Sequence, residues 1–253
     1  MRIKRLKAFT LVEMLLVVAV IVLLIAFLLP GLRNAREAAR GNTCSTNLSY
    51  IHGAAMQYTL ANSTMFPRSE NWVGSKWWDI NSVRNGKLYS YMGQNENSYI
   101  CPLFISTPRS KWITAYDWGG MNNYQNYTAA FTYTLNEYMS TGDRVNNTGW
   151  NGKPPIRKLQ QADEPQKLAW FTEENPWTIP GWSGHPINNG AFGIGGYSSG
   201  SVDCLATFHQ PNSSNLDDGS ANVLFADGHV GLAHLTETKI VGTPRRYKPV
   251  GAP

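Results

Sequence analysis

Apolar positions fall into three regimes along the chain. From Leu11 to Leu29 they are continuous, nineteen residues interrupted only by Glu13. A helix of that length rises roughly 28 Å, close to the ~30 Å hydrocarbon core of a bilayer. A secretory signal has a shorter apolar stretch of ~7–15 residues and a small-residue cleavage site. Arg33-Asn34-Ala35 is a poor version of such a site, so the pattern predicts a span that stays on the protein. After Pro30 the apolar residues become periodic. Leu48, Ile51, Ala55 and Tyr58 recur on one helical face, with Asn47, Ser49 and Gln57 elsewhere. The two stretches predict one helix over residues 9–62, with a span at 11–29 and an amphipathic half at 31–62. It should fade near Asn62-Ser63, ahead of Phe66-Pro67.

The third regime, residues 63–253, reads as one globular domain with a C-terminal tail. Loops rich in Asn, Gly, Ser, Trp and Tyr separate a few β-like runs. Tyr99-Ile100-Cys101-Pro102 suggests a short strand, and Ala129–Leu135 and Lys167–Thr172 suggest longer ones, the last followed by Glu173-Glu174. In Ala221–Ala233 two apolar runs flank Asp227-Gly228, the signature of a two-residue hairpin turn. The predicted fold is therefore α+β: a long N-terminal helix packed by its second half on a small antiparallel sheet with long loops.

Charge changes the picture less than its total suggests. The net charge is +5, and four of the positive charges are Arg2, Lys4, Arg5 and Lys7, ahead of the span with no acid among them. Without them +1 remains. The basic excess thus belongs to topology, holding residues 1–8 in the cytoplasm and the domain outside it, and gives no reason to expect nucleic acid. An extracytoplasmic domain permits disulfides. The cysteines are Cys44, Cys101 and Cys204, with no Cys-x-x-Cys. The expected pair is Cys44 with Cys101, leaving Cys204 over; three reduced, buried cysteines are the alternative.

Lys7-Ala8-Phe9-Thr10-Leu11-Val12-Glu13 follows the basic leader and opens the apolar helix. This stretch resembles the prepilin signature of type IV pilins and type II secretion pseudopilins. That family usually has Gly where this chain has Ala8, and a small residue is kept. The resemblance implies that a prepilin peptidase cuts between Ala8 and Phe9 and methylates the Phe9 amine. Glu13 would then act in assembly, and Pro30 falls where many pilins carry a helix-loosening proline. The Asn-Val-Leu-Phe-Ala-Asp-Gly-His hairpin resembles the ending of a group of bacterial prepilin-like proteins, in which a His precedes the Asp-Gly by about nine residues. Here His209 is the nearest such residue, and an insertion such as 211–218 is implied. The implied function is a structural subunit of a pilus-like filament, single-pass in the inner membrane. Its partners would be other pilin or pseudopilin subunits, the prepilin peptidase and an assembly platform. A membrane-anchored extracytoplasmic binding protein, with carbohydrate as the candidate ligand, is the alternative reading.

Other side chains suggest less. His209, Asp227 and His229 are a conceivable zinc set, but a turn Asp commonly bonds its own backbone, and no metal ligand is assigned. Asp203, Asp217, Asp218 and Asp227 supply hard oxygens suited to calcium, which similar major pseudopilins can hold in a C-terminal loop. Ser201, Asp203 and His209 can be named together as a triad. No Gly-x-Ser-x-Gly elbow accompanies them, and Gly193–Gly200 lacks the ending of a phosphate loop, so no enzyme is expected. Nine tryptophans and twelve tyrosines leave two readings, a sugar-stacking platform or core packing.

Overall fold

Thr10 starts the longest element. The helix α1 runs Leu11–Ala61 without a break, through Pro30. Proline lacks the N–H that would bond the carbonyl four residues back, at Ala26, which loosens α1 at that turn. The computed structural model describes residues 10–68, 71–74, 76–112, 124–139, 156–162, 165–166, 168–179, 184–187, 190–192, 202–203, 205–211 and 215–234. The chain divides into two compact units, residues 1–40 and 41–253.

In the first unit every described residue, Thr10 to Arg40, is exposed. Leu11–Ala61 contains a stretch long and apolar enough to cross a membrane.

In the second unit α1 is one-sided. Cys44, Asn47, Leu48, Ile51, Ala54, Ala55 and Thr59 are buried, while Tyr50 and Leu60 remain exposed. The buried stripe begins only at Cys44; residues 31–40, expected to be amphipathic, bury nothing among the described residues. The helix ends as Ser63 and Thr64 take positive φ values of 56° and 64° and the Thr64 N–H bonds back to the Thr59 carbonyl.

That stripe packs on a five-stranded sheet. Its strands are β1 (Tyr133–Asn136), β2 (Ala169–Glu173), β4 (Ala191–Phe192), β6 (Ser220–Phe225) and β7 (Val230–His234), in the order β4-β1-β2-β6-β7. All pairings are antiparallel except β1 with β4, so the sheet is mostly antiparallel, in keeping with the α+β expectation. Two residues at Gly184–His185 (β3) pair in parallel with Val202–Asp203 (β5). The central strand β2 is buried at every position, so it shows no polar face in its sequence.

Aromatic side chains fill the space between helix, sheet and loops. Trp72, Trp77, Trp112, Trp170 and Trp177 are buried. Trp72 meets Phe171 edge-on at 5.0 Å, Trp77 meets Tyr124 at 5.0 Å, and Trp170 lies 4.7 Å from Phe66 and 5.8 Å from His52 of α1. These five rings are core, and Trp78, half-buried, leans on Tyr127.

Three local expectations change. Around Cys101 there is no strand: Glu96–Tyr99 is a 3₁₀ turn and Pro102–Ser106 a short helix that Cys101 caps. Proline at the first helical position has a φ already suited to a helix and lacks an N–H that would be unbonded there anyway. The strand expected from Ala129 starts at Tyr133, because the N–H groups of Ala130 and Thr132 bond loop carbonyls of Trp77 and Tyr99. The hairpin loop has three residues, Ala226-Asp227-Gly228, since Phe225 N–H bonds the His229 carbonyl. Only Gly228 takes a positive φ, +96°, and a Cβ there would lie 2.6 Å from the His52 ring. That is a type I turn closed by a left-handed glycine.

Cys44 and Cys101 form a disulfide joining α1 to the turn before Pro102. Closing a loop with a sequence separation of 57 contributes about 4 kcal/mol in the chain-entropy model. Leu48 lies fully buried one turn further on, whereas Leu60 is 75% exposed. Leu48→Ala should therefore cost about 2–5 kcal/mol and Leu60→Ala less than about 0.5 kcal/mol, read as the difference in unfolding free energy in denaturant titrations.

Candidate functional site

Two places carry polar groups where apolar ones would be cheaper. The first is the start of α1. Glu13 Oε2 accepts from both the N–H and the hydroxyl of Thr10, each at 2.8 Å, and Thr10 Oγ1 accepts the Glu13 N–H at 3.3 Å. This reciprocal arrangement is a capping box, in which Thr at the N-cap and Glu three residues later satisfy each other's exposed donors. The Thr10-x-x-Glu13 spacing is itself its signature, hidden in the sequence by the apolar run around it. Glu13 thus has work at the helix end apart from any partner. Ala8 and Phe9 lie outside the described residues, and Pro30 sits exposed within α1.

The second place lies in the core beside the disulfide. Glu173, the last residue of β2, and His209 are 0% and 3% exposed at the side chain, with Glu173 Oε2 2.8 Å from His209 Nε2. The same oxygen accepts the backbone N–H of Asn222 at 2.9 Å. Asn222 Nδ2 lies 3.2 Å from His209 Nε2, and Cys101 Sγ lies 3.6 Å from that nitrogen. The other carboxylate oxygen, Glu173 Oε1, is buried with no hydrogen-bond partner. A buried carboxylate is costly unless it is paired and bonded, and here one oxygen is served and the other is not.

The backbone explains why His209 reaches this point. His209 and Ser220 form a bridge, each N–H bonding the other's carbonyl at 3.0 and 2.8 Å. His209 is therefore held next to the first residue of β6 despite its distance from Asp227 in sequence. Gly219 permits this approach, because a Cβ there would meet the Thr207 carbonyl at 1.9 Å.

The side chains grouped in sequence do not stay together. His229 is exposed on the hairpin, its Nδ1 2.6 Å from Asp227 Oδ1 and its ring stacked 4.3 Å from Phe225. His209 is buried against Glu173 instead, so the set His209, Asp227 and His229 does not form. Asp217 accepts from Lys111 at 2.6 Å and from Trp177 Nε1 at 2.8 Å. Asp203, Asp217, Asp218 and Asp227 do not converge; among the described residues one group of His, Cys, Asp and Glu side chains does, namely Cys44, Cys101, Glu173 and His209. Ser201 and Cys204 lie outside the described residues. Nor does His209 link Cys101 to Glu173 through opposite ring nitrogens, since one ring nitrogen faces both the Cys101 sulfur and the Glu173 carboxylate. Neither Glu173 nor Asn222 stood out in the sequence as a site residue. The available hint was the acidic pair Glu173-Glu174 ending a run of strand formers.

Glu174 is buried as well, 1% exposed. Desolvation, reinforced by the charges of Asp203 and Glu137, raises its pKa far above the ordinary carboxylate range. Tyr133 is likewise raised by burial and by the charge of Glu173, while its hydroxyl donates to the Cys44 carbonyl at 3.2 Å.

Comparisons of the chain with family models, with curated proteins and with solved structures give no match.

The folded chain keeps a proton on Glu174 that the unfolded chain releases above its ordinary value of 4.5. Stability from this source is complete below that value and declines as pH rises toward the folded pKa. Glu174→Gln should flatten that decline and leave the protein more stable than wild type at alkaline pH. Denaturant midpoints measured across a pH series check it.

Proposed function

We propose that the protein is a subunit of a pilus-like filament, a type II secretion pseudopilin or a type IV pilin-like protein, made as a prepilin. The observation that carries this reading is the start of α1. Nineteen exposed residues, Leu11 to Leu29, hold a single ionisable side chain, Glu13, three residues after the helix cap Thr10 and four after Phe9 of the Ala8-Phe9 pair.

A prepilin peptidase cuts after Ala8 and methylates the Phe9 amine. The span 11–29 holds the subunit in the inner membrane, with the disulfide-bonded domain on the extracytoplasmic side. During assembly, on the platform of a secretion or pilus system, apolar helices leave the lipid and bundle in the filament core. Close packing between helices offsets the lost lipid contacts. Glu13 then pairs with the Phe9 ammonium of a neighbouring subunit. In a low-dielectric bundle such a pair gains little net stability, but a mismatch is costly, so it sets the register. Pro30 loosens the helix near the end of the buried stretch. Nucleic acid has no part in this reading.

The capping box makes Glu13→Gln a selective test. Glutamine serves the N3 position of such a box as glutamate does, so the helix start is kept and only the charge is lost. Intact-mass spectrometry of the membrane-derived protein should show loss of residues 1–8 and one added methyl, for wild type and variant alike. The variant should then enter filaments poorly, since an unpaired buried charge costs about 3–5 kcal/mol, measured by its co-purification with partner pilins. An intact Met1 terminus in cells with an active peptidase would overturn the pilin reading in favour of a plain membrane tether. Normal incorporation of the variant would remove Glu13 from the assembly mechanism.

A further inference from the structure

Four donors of three chemical kinds meet inside the domain. Cys44 comes from α1, Cys101 from the turn before Pro102, Glu173 from the end of β2 and His209 from the bridge to Ser220. All four are buried, and their ligand atoms lie within 4.8 Å of one another. We propose that, when the Cys44–Cys101 bond is reduced, these four side chains hold one divalent ion of the zinc class. The disulfide and the metal are then alternative clamps at the same point. This inference does not depend on the filament reading.

The geometry suits a tetrahedral ion. With metal–sulfur bonds of about 2.3 Å and metal–nitrogen or metal–oxygen bonds of about 2.0–2.2 Å, tetrahedral edges are roughly 3.7 Å between sulfurs. The corresponding edges are roughly 3.6 Å from sulfur to nitrogen and roughly 3.4 Å from nitrogen to oxygen. Cys101 Sγ and His209 Nε2 already stand 3.6 Å apart. Nε2 and Glu173 Oε2, at 2.8 Å, have to part by about 0.6 Å to reach that edge. The sulfurs separate by rotation of the two cysteine side chains. One ring nitrogen facing both a sulfur and a carboxylate oxygen is what a common metal requires.

The surroundings of the donors point the same way. Glu173 Oε1 is buried and accepts no hydrogen bond, although an ionised carboxylate has acceptor capacity on both oxygens. A cation bound at Oε2 offsets the charge that this incompletely bonded carboxylate carries. Glu173 Oε2 is oriented by the Asn222 N–H, and His209 is fixed by its two backbone bonds to Ser220. Metal ligands are characteristically oriented by such outer contacts. Two sulfurs, one imidazole and one carboxylate are a donor set of zinc, not of calcium or magnesium.

The chemistry balances with a dithiol as the reductant. It gives two electrons and two protons to the Cys44–Cys101 bond and becomes a disulfide itself. Two thiols result, and binding of the ion releases their two protons to solvent. The dication offsets two of the three anionic donors, and the Asn222 N–H remains on the carboxylate. In place of a bond between two segments, the metal ties together four.

The test uses the full chain in detergent, reduced with a phosphine and titrated with Co²⁺ and then with Zn²⁺. The expected result is one equivalent of Co²⁺ per chain, with thiolate-to-cobalt charge transfer and the intense visible bands of a tetrahedral site, displaced by Zn²⁺. The oxidised chain should bind none. Glu173→Gln and His209→Ala should each weaken binding by at least about tenfold, whereas Asp227→Asn, on the exposed hairpin turn, should leave it unchanged. Circular dichroism of each oxidised variant establishes that it folds. If reduction unfolds the chain, added Zn²⁺ should restore the helix signal. The proposal is overturned by a reduced wild-type chain that binds no ion or is not refolded by Zn²⁺. Equal binding by the oxidised chain, or binding unaffected in folded Glu173→Gln, would also overturn it.

Discussion

Burial of a single stripe of α1, covalently closed at its first residue, is the constraint on which the domain depends. Cys44, Leu48, Ile51 and Ala55 are fully buried along about three turns of helix, and Cys44 is bonded to Cys101. Leu48 and Ile51 each contribute about 1.5–3 kcal/mol by leaving water. The disulfide contributes about 4 kcal/mol more by restricting the unfolded chain. Against a typical net stability of about 5–15 kcal/mol, the seam between helix and sheet decides whether the fold exists. The aromatic core sits around it: Trp170 touches His52, Tyr133 bonds the Cys44 carbonyl, and Asn47 bonds the Ile100 carbonyl at 3.0 Å.

The same helix begins with a surface that water does not suit. From Leu11 to Leu29 every residue but Glu13 is apolar, and all are exposed. Contiguous apolar surface on this scale marks a membrane or an assembly contact. Glu13 fits into that start because its carboxylate accepts from the Thr10 N–H and hydroxyl and caps the helix. Gln at the same position keeps the cap and removes the charge. Glu174 is a contrasting case, a carboxyl deep in the domain whose pKa desolvation raises well above the ordinary range. Glu173, its neighbour in the same strand, is held with a histidine and a backbone N–H instead.

Legibility in the sequence followed the range of the interactions. The helix was readable because its apolar run and its stripe at Leu48, Ile51 and Ala55 are local patterns, and the hairpin because Asp227-Gly228 is a local turn signal. The α+β class followed from those two. The turn around Cys101 was misjudged because Pro102, which excludes a central strand, equally starts a helix. The late start of β1 reflects bonds from Ala130 and Thr132 to carbonyls far away in sequence. The core cluster was illegible for the same reason. Cys44, Cys101, Glu173 and His209 span more than half the chain, and only the return of residue 220 to residue 209 brings the last of them in. The five tryptophans buried among the described residues gave no period because loops, not strands or helices, deliver most of them.

One helix, buried in one part and exposed in another, should differ in the stability of its own hydrogen bonds. Amides buried against a core exchange with solvent only through large openings, whereas exposed helical turns open locally. The most direct test is hydrogen exchange, resolved by peptide mass spectrometry, on the full chain in lipid nanodiscs and in detergent. The account predicts that residues 44–59 exchange slowly in both media, that residues 31–40 exchange much faster in both, and that residues 11–29 exchange more slowly in lipid than in detergent. Exchange of 44–59 at the rate of 31–40 would contradict the account, because the stripe would then not be what holds α1 to the sheet.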